Sequence, residues 1–205
     1  MTETNYDDDP SLALLHELFT SATHDASAAM CRWTNGLITV TFDEVRRIPL
    51  EDISIEMDMG DELLTMVVLT LEGEVGGNLI LVFDDVSGRQ LAASLLGREP
   101  EADTEWSEIE KSALTETGNI LGCAYVNALS RMIDAELVPS PPYFIQDYGV
   151  SVLQQAAMAQ ALTSDNLLLC QIGFQRKGED LDWRVVFVPT QAMQKAMERS
   201  LHATP

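Results

Sequence analysis

Ser112-Ala-Leu-Thr-Glu116-Thr-Gly-Asn119, followed by Pro139-Ser-Pro-Pro142, is the stretch on which the reading of this chain turns. Ser112, Glu116 and Asn119 are spaced by four and then three residues. At about 3.6 residues per turn, those offsets place all three on one stripe of a helix. Leu114, Leu121, Ala124, Ala128 and Met132 occupy the other side, as a buried face requires. A carboxylate and a carboxamide therefore stand together on the side with no packing duty. The carboxylate can pair with a partner's cation. The carboxamide donates and accepts at once, so it can hold a water molecule in one orientation. Asn is a poor choice inside a helix because its side chain competes for backbone hydrogen bonds. Gly118 costs about 1 kcal/mol relative to alanine. Two unfavourable residues side by side imply a demand other than helix stability. Gly118 lies nearer the apolar side, where it suits close packing.

Outward from this stretch, the order of elements appears twice. Apolar residues recur at helical spacing from Ser11 to about Trp33, and Asn35-Gly36 ends that helix. Leu37–Phe42 reads as a strand. Leu63–Leu71 and Gly77–Phe83 read as two more, joined by a hairpin turn at Glu72-Gly73-Glu74. Ser87–Leu96 is a short helix closed by Gly97, and an acidic linker, Arg98–Thr104, follows. The second round has a long helix from about Glu105 to Ile133, an extended Pro-rich segment over Ala135–Gln146 and a short helix at about Ser151–Leu162. Strands at Asn166–Arg176 and Trp183–Val188 follow, with a turn at Gly178-Glu-Asp between them, and the last helix is Thr190–Leu201. This predicts one domain with an internal repeat, about 11–97 and 105–201, behind a flexible acidic tail at 1–9. The fold class is α/β (α+β), with a largely antiparallel sheet and two long helices.

Composition narrows the function. The 205 residues suffice for a substantial core, and the apolar fraction of 46% is that of a globular chain. With 33 acidic and 12 basic residues the net charge is -21, which repels nucleic acid and anionic lipid. Such a charge also serves solubility alone. The polar, acidic N-terminus is unlike a signal peptide, and no apolar run reaches membrane-spanning length, so a cytoplasmic protein is expected. Cys31, Cys123 and Cys170 are odd in number and far apart, which points to buried reduced thiols rather than disulfides or zinc. His16, His24 and His202 have no metal-ligand spacing. No phosphate-binding glycine loop or nucleophile elbow occurs; Gly73, Gly76 and Gly77 belong to a hairpin. Met57, Met59 and Met66 read as gap-fillers or strand-edge residues.

The motif also carries a resemblance. Ser/Asp, three residues, Glu, two residues, Asn, twenty-two residues, Pro is similar to the signature of the CheC/CheX/FliY family of chemotaxis phosphatases, and Ser112, Glu116, Asn119 and Pro142 fill every position of it. The words "EIEKSALTETGNILGCAYVNALSRMI" and "VPSPP" resemble the second half of a CheC-type protein, and the likeness runs from about Ser11 to about Leu201. The resemblance implies a pseudo-two-fold CheC-like fold and a hydrolase of two-component signalling. Its substrate would be the aspartyl phosphate of a CheY-like receiver. Asn119 would hold the attacking water, much as a glutamine does in GTPases. Glu116 would pair with the receiver's lysine. Ser112 would bond near the rim or orient Glu116, and Pro142 would shape the strand beside the helix. No cofactor of its own is expected, since the Mg²⁺ would come with the receiver. Family members also dock the deamidase CheD or form part of the flagellar switch. A non-catalytic binding module, or a sink that holds phosphorylated receiver without hydrolysing it, are therefore the competing readings. The apolar segment Ser151-Val-Leu-Gln-Gln-Ala-Ala-Met-Ala-Gln is either a docking surface or core.

The repeat raises the question of a second site. Glu17 stands where Glu116 does, but the partner positions hold Ala13, Thr20 and, in place of Pro142, Asp43. Thr20 is short and stiff and offers no amide. The first half therefore reads as a degenerate site, with Glu17 and Thr20 its remnants. His24, one turn further on, reads as a solvated surface histidine.

Overall fold

A computed structural model of the chain describes residues 10–49, 52, 63–72, 75–100, 105–151, 166–176, 179–181 and 183–202. Helix α1 spans Pro10–Trp33 and ends where Asn35 and Gly36 take positive φ. Strands β1 (Ile38–Pro49), β2 (Leu63–Glu72) and β3 (Gly77–Phe83) precede helix α2 (Asp85–Leu96). The Asp84 carboxylate accepts from the Ser87 backbone N–H at the start of α2, and Gly97 closes it at φ 66°. Helix α3 (Glu108–Ile133), strands β4 (Val138–Pro139), β5 (Tyr143–Tyr148), β6 (Asn166–Arg176), β7 (Glu179–Leu181) and β8 (Trp183–Pro189), and helix α4 (Gln191–His202) complete the order.

The pairing interlocks the two rounds of the pattern. β3 and β8 lie antiparallel, with Ile80 opposite Val186 and Leu81 opposite Val185. β2 pairs with β3 on one side and with β4 and β5 on the other. β1, from the first round, pairs with β6 from the second. Each round thus lends the strand after its long helix to the other round's sheet. β1 is twice as long as its sequence suggests. Its polar residues Glu44, Arg46 and Arg47 hide the pattern, and Asp43 sits at an irregularity in the register with β6. Of the turn expected at Gly178-Glu-Asp, Glu179 and Asp180 instead pair with the end of β6 as part of β7, and Gly178 lies outside the described residues. The hairpin residues 73–74, linker residues 101–104 and all but Ser151 of the expected helix at about Ser151–Leu162 lie outside the described residues, as do Met57 and Met59.

The central strands are buried on both faces. Val67, Leu69, Leu81, Phe83, Val185 and Phe187 face the long helices. Their neighbours Met66, Val68, Ile80, Val82, Val186 and Val188 form a second apolar cluster on the opposite face. That double burial explains runs such as Met66-Val-Val-Leu69, where strict alternation is absent. The two long helices are joined by a 2.7 Å hydrogen bond between the Thr23 and Tyr125 hydroxyls and by Arg131, which donates to Asp25 at 2.7 Å.

Two local features fix α3. At its start, the buried Glu110 carboxylate accepts from the Ser107 backbone N–H (2.9 Å) and hydroxyl (2.6 Å), and pairs with Arg98 at 2.7 Å. This closure sets the first turn at Glu108 rather than the expected Glu105. Further along, Gly118 and Gly122 lie on β2 so closely that a Cβ would stand 2.4 Å from Val67 Cγ1 and 2.6 Å from Leu69 Cδ1 respectively.

Gly118→Ala gains about 1 kcal/mol of helix propensity but overpacks a stiff, buried valine at a cost of roughly 1–3 kcal/mol or more. A lowered melting temperature is expected, partly restored by adding Val67→Ala; independent, additive effects of the two changes would contradict the contact. Burial pushes the Glu110 carboxyl up, but its bonds to Ser107 and Arg98 outweigh this and hold it below the ordinary value of 4.5. A depressed folded-state value adds stability above the unfolded value, and this is lost as pH falls through the folded one. Denaturant unfolding should show Glu110→Gln less stable than wild type at neutral pH, with the gap shrinking as pH drops below 4.5.

Candidate functional site

Helix α3 holds the motif, and its packing decides which way the motif faces. Gly118 and Gly122 press on β2, while Leu114, Leu121, Tyr125 and Leu129 are fully buried. Ser112 and Glu116 are then exposed, and Asn119, next in sequence to Gly118, is half-buried at the rim of the helix–sheet contact. The expected stripe therefore forms. Among the described residues Glu116 has no ion-pair partner, and Ser112 makes no hydrogen bond to it. With 33 carboxylates to 12 cations, an unpaired carboxylate is ordinary. Its place beside Asn119 is what distinguishes Glu116.

The Pro-rich segment lies against the edge of β2. Pro139 is opposite Leu71 and Tyr143 opposite Val68, so 140–142 form an irregular step between β4 and β5. Ser140 bridges this step. Its N–H donates to the Thr70 carbonyl at 2.7 Å, and its hydroxyl accepts from the Thr70 N–H at 3.1 Å. Pro139, Pro141 and Pro142 have no N–H to satisfy, which suits a segment that leaves the ladder and rejoins it. Pro142 is half-buried, and α3 packs on both β4 and β5. The fourth motif residue thus belongs to the scaffold beside the helix.

Asn119 has a neighbour that the sequence reading passed over. Cys123 Sγ lies 3.7 Å from Asn119 Oδ1, within thiol hydrogen-bond range. The i, i+4 spacing from Asn119 was the available signal. Cys31 and Cys123 are only half-buried, which corrects the expectation of three buried thiols. Cys170 alone is fully buried, and burial pushes its thiol up.

The first-half remnants are arranged differently. Glu17 and Thr20 are exposed on α1, but the Thr20 hydroxyl donates back to the His16 carbonyl at 2.7 Å. Its proton is committed to the helix. His24 is exposed and lies 3.9 Å from Asp25, as a surface histidine would. Asp43, in the place of Pro142, sits on β1.

An open cleft of about 750 Å³ beside the motif helix has Arg89, Glu105, Trp106, Lys111, Phe144 and Gln146 among its lining residues. Arg89 lies over the Trp106 ring at 4.5 Å and donates to Asp85 at 2.7 Å, while Lys111 pairs with Glu108 at 2.8 Å. Its cations are thus neutralised locally, and the cleft has no strong positive field. Among the described residues no three His, Cys, Asp or Glu side chains cluster as metal ligands. No helix among them is long and apolar enough to cross a membrane.

Comparison with known proteins gives three points of reference. The chain is 24% identical over 151 residues to the CheY-P phosphatase CheC of Bacillus subtilis, a match covering 72% of this chain and 71% of the relative. Its fold is similar to that of Thermotoga maritima FliY, with a TM-score of 0.74, 18% identity and full coverage of both chains. It is also similar to the middle domain of Helicobacter pylori FliM, with a TM-score of 0.67, 12% identity and coverage of 93% and 98%. No protein-family model matches the chain.

Proposed function

We propose that this chain is a member of the CheC/CheX/FliY family, a reading supported by its CheC relative and its FliY-like fold, and that it hydrolyses the aspartyl phosphate of a CheY-like response regulator by orienting the attacking water. The observation that carries this reading is the side-by-side presentation of Glu116 and Asn119 on the outward stripe of α3, with Pro142 in the step between β4 and β5, the two strands on which that helix packs. Exposed Ser112 and Glu116 with Asn119 at the rim beside them suit a surface that must meet a second protein.

The chemistry demands little of this chain. Phosphoryl transfer passes through a loose transition state, so placing the nucleophile matters more than deprotonating it. The receiver would supply the phosphoryl group, a lysine and the divalent ion, so the reaction asks for no metal held by this chain. Glu116, exposed and unpaired with any described residue, engages the receiver's lysine and fixes the register of the two proteins. That contact brings the Asn119 carboxamide over the phosphoryl group. Its amide and carbonyl together hold a water in line with the breaking bond. Half-burial on a helix locked to β2 limits the carboxamide's freedom. Ser112 sits one turn before Glu116 at the rim of the contact.

The competing reading is a binding module that docks a receiver, CheD or the flagellar switch without catalysis. The likeness to FliM keeps it in view, since that fold alone does not select an activity. Phosphate release from a phosphorylated receiver decides between the two. Wild-type protein that binds the receiver but leaves its dephosphorylation rate unchanged would establish the binding module.

Asn119→Ala is expected to lower the rate by about 100-fold or more while receiver binding changes little. A mutant working at near wild-type rate would remove the water-holding role. Glu116→Ala combined with Asn119→Ala should abolish release. Glu17→Ala combined with Thr20→Ala should leave it near wild type, because the Thr20 proton is already bound to His16. Substantial activity in the Glu116/Asn119 double mutant would show that the α1 face is also a working site.

A further inference from the structure

We infer that Cys123 is a positioning residue for Asn119: its thiol proton is donated to the Asn119 carboxamide oxygen and holds that side chain in a single orientation. The inference rests on the phosphatase reading for its consequence in catalysis, and on geometry alone for the contact. Sγ and Oδ1 are 3.7 Å apart. Side chains on a helix lean towards its N-terminus, so the thiol of residue i+4 tilts back onto the side chain at residue i. Both residues directly follow the two glycines that press on β2, Gly118 and Gly122. The pair is therefore locked at the same rim of the helix–sheet contact.

Sulfur suits this task better than oxygen here. Three hydroxyls on the long helices, Thr20, Thr115 and Thr117, donate to the carbonyl four residues back. A hydroxyl at 123 would be drawn to the Asn119 backbone in the same way. The thiol is a weak donor with a longer reach, and its partner is the side chain instead. A carbonyl oxygen has two lone pairs, so Oδ1 keeps one for water after accepting the S–H. The amide nitrogen is meanwhile turned to a fixed side. The pairing that aligns Thr20 with Asn119 aligns His24 with Cys123, and His24 is exposed beside Asp25. The first half has thus lost both the carboxamide and the group that would hold it.

The test compares Cys123→Ala and Cys123→Ser with wild type in two measurements. Three-bond couplings to the Asn119 Cγ report whether one χ1 rotamer or an average is present. Initial rates with phosphorylated receiver separate kcat from KM. A single rotamer in wild type, averaging in both variants, and a kcat lowered about 10-fold at unchanged KM and melting temperature are expected. Serine should fail to rescue, because its proton goes to the backbone. Retention of one Asn119 rotamer in Cys123→Ala would overturn the inference, as would a kcat equal to wild type. If wild type releases no phosphate, the phosphatase reading falls. The couplings then still decide the contact, and averaging in both variants upholds it.

Discussion

The close approach of α3 to β2 is the constraint on which the rest of the structure depends. Gly118 and Gly122 bring the helix backbone onto Val67 and Leu69 so tightly that neither position has room for a methyl group. Burial then extends along the helix through Leu114, Leu121, Tyr125 and Leu129. Once that face is fixed, the opposite stripe has only one direction left, and Ser112 and Glu116 face water while Asn119 stands at the rim. The same contact that stabilises the fold thus sets the direction in which the motif stripe faces. The intrinsic helix cost of two glycines is offset by burial of the strand side chains beneath them.

Around this contact the two rounds of the chain are interlocked rather than stacked. The exchange of β1 and β5 between rounds means that neither half completes its sheet alone. β3 and β8 meet at the centre, where burial on both faces leaves long apolar runs. The two long helices differ in what they present. α3 keeps a carboxamide held by a thiol, whereas α1 carries a threonine whose hydroxyl is spent on its own backbone. Both helices still share the load of packing, through Thr23 with Tyr125 and Asp25 with Arg131.

Charge does different work at different places. The excess of carboxylates leaves most of them to solvent, and the few cations are spent locally, as Arg98 on Glu110, Arg89 on Asp85 and Lys111 on Glu108. The buried Glu110 is held ionised because three donors converge on it, and it ties the start of α3 to the end of α2. Glu116 has no such duty within the described residues.

The sequence by itself determined the element order, the mixed α and antiparallel β class and the motif stripe. These follow from local periodicity, turn residues and fixed spacing along one helix, all of which are short-range. It also identified Gly118 as a packing residue, from its place on the apolar side. Only the tertiary structure decided the exchange of strands between halves, the full length of β1 and the pairing of Glu179–Leu181. Those depend on partners far away in sequence, which supply ladder bonds to stretches too polar or too short to read as strands. The start of α3 at Glu108 rested on Arg98 and Ser107 converging on Glu110. The role of Cys123 was hidden for a similar reason. Its spacing from Asn119 was visible, but whether a thiol is buried in a core or turned onto a neighbour depends on how the helix lies on its sheet.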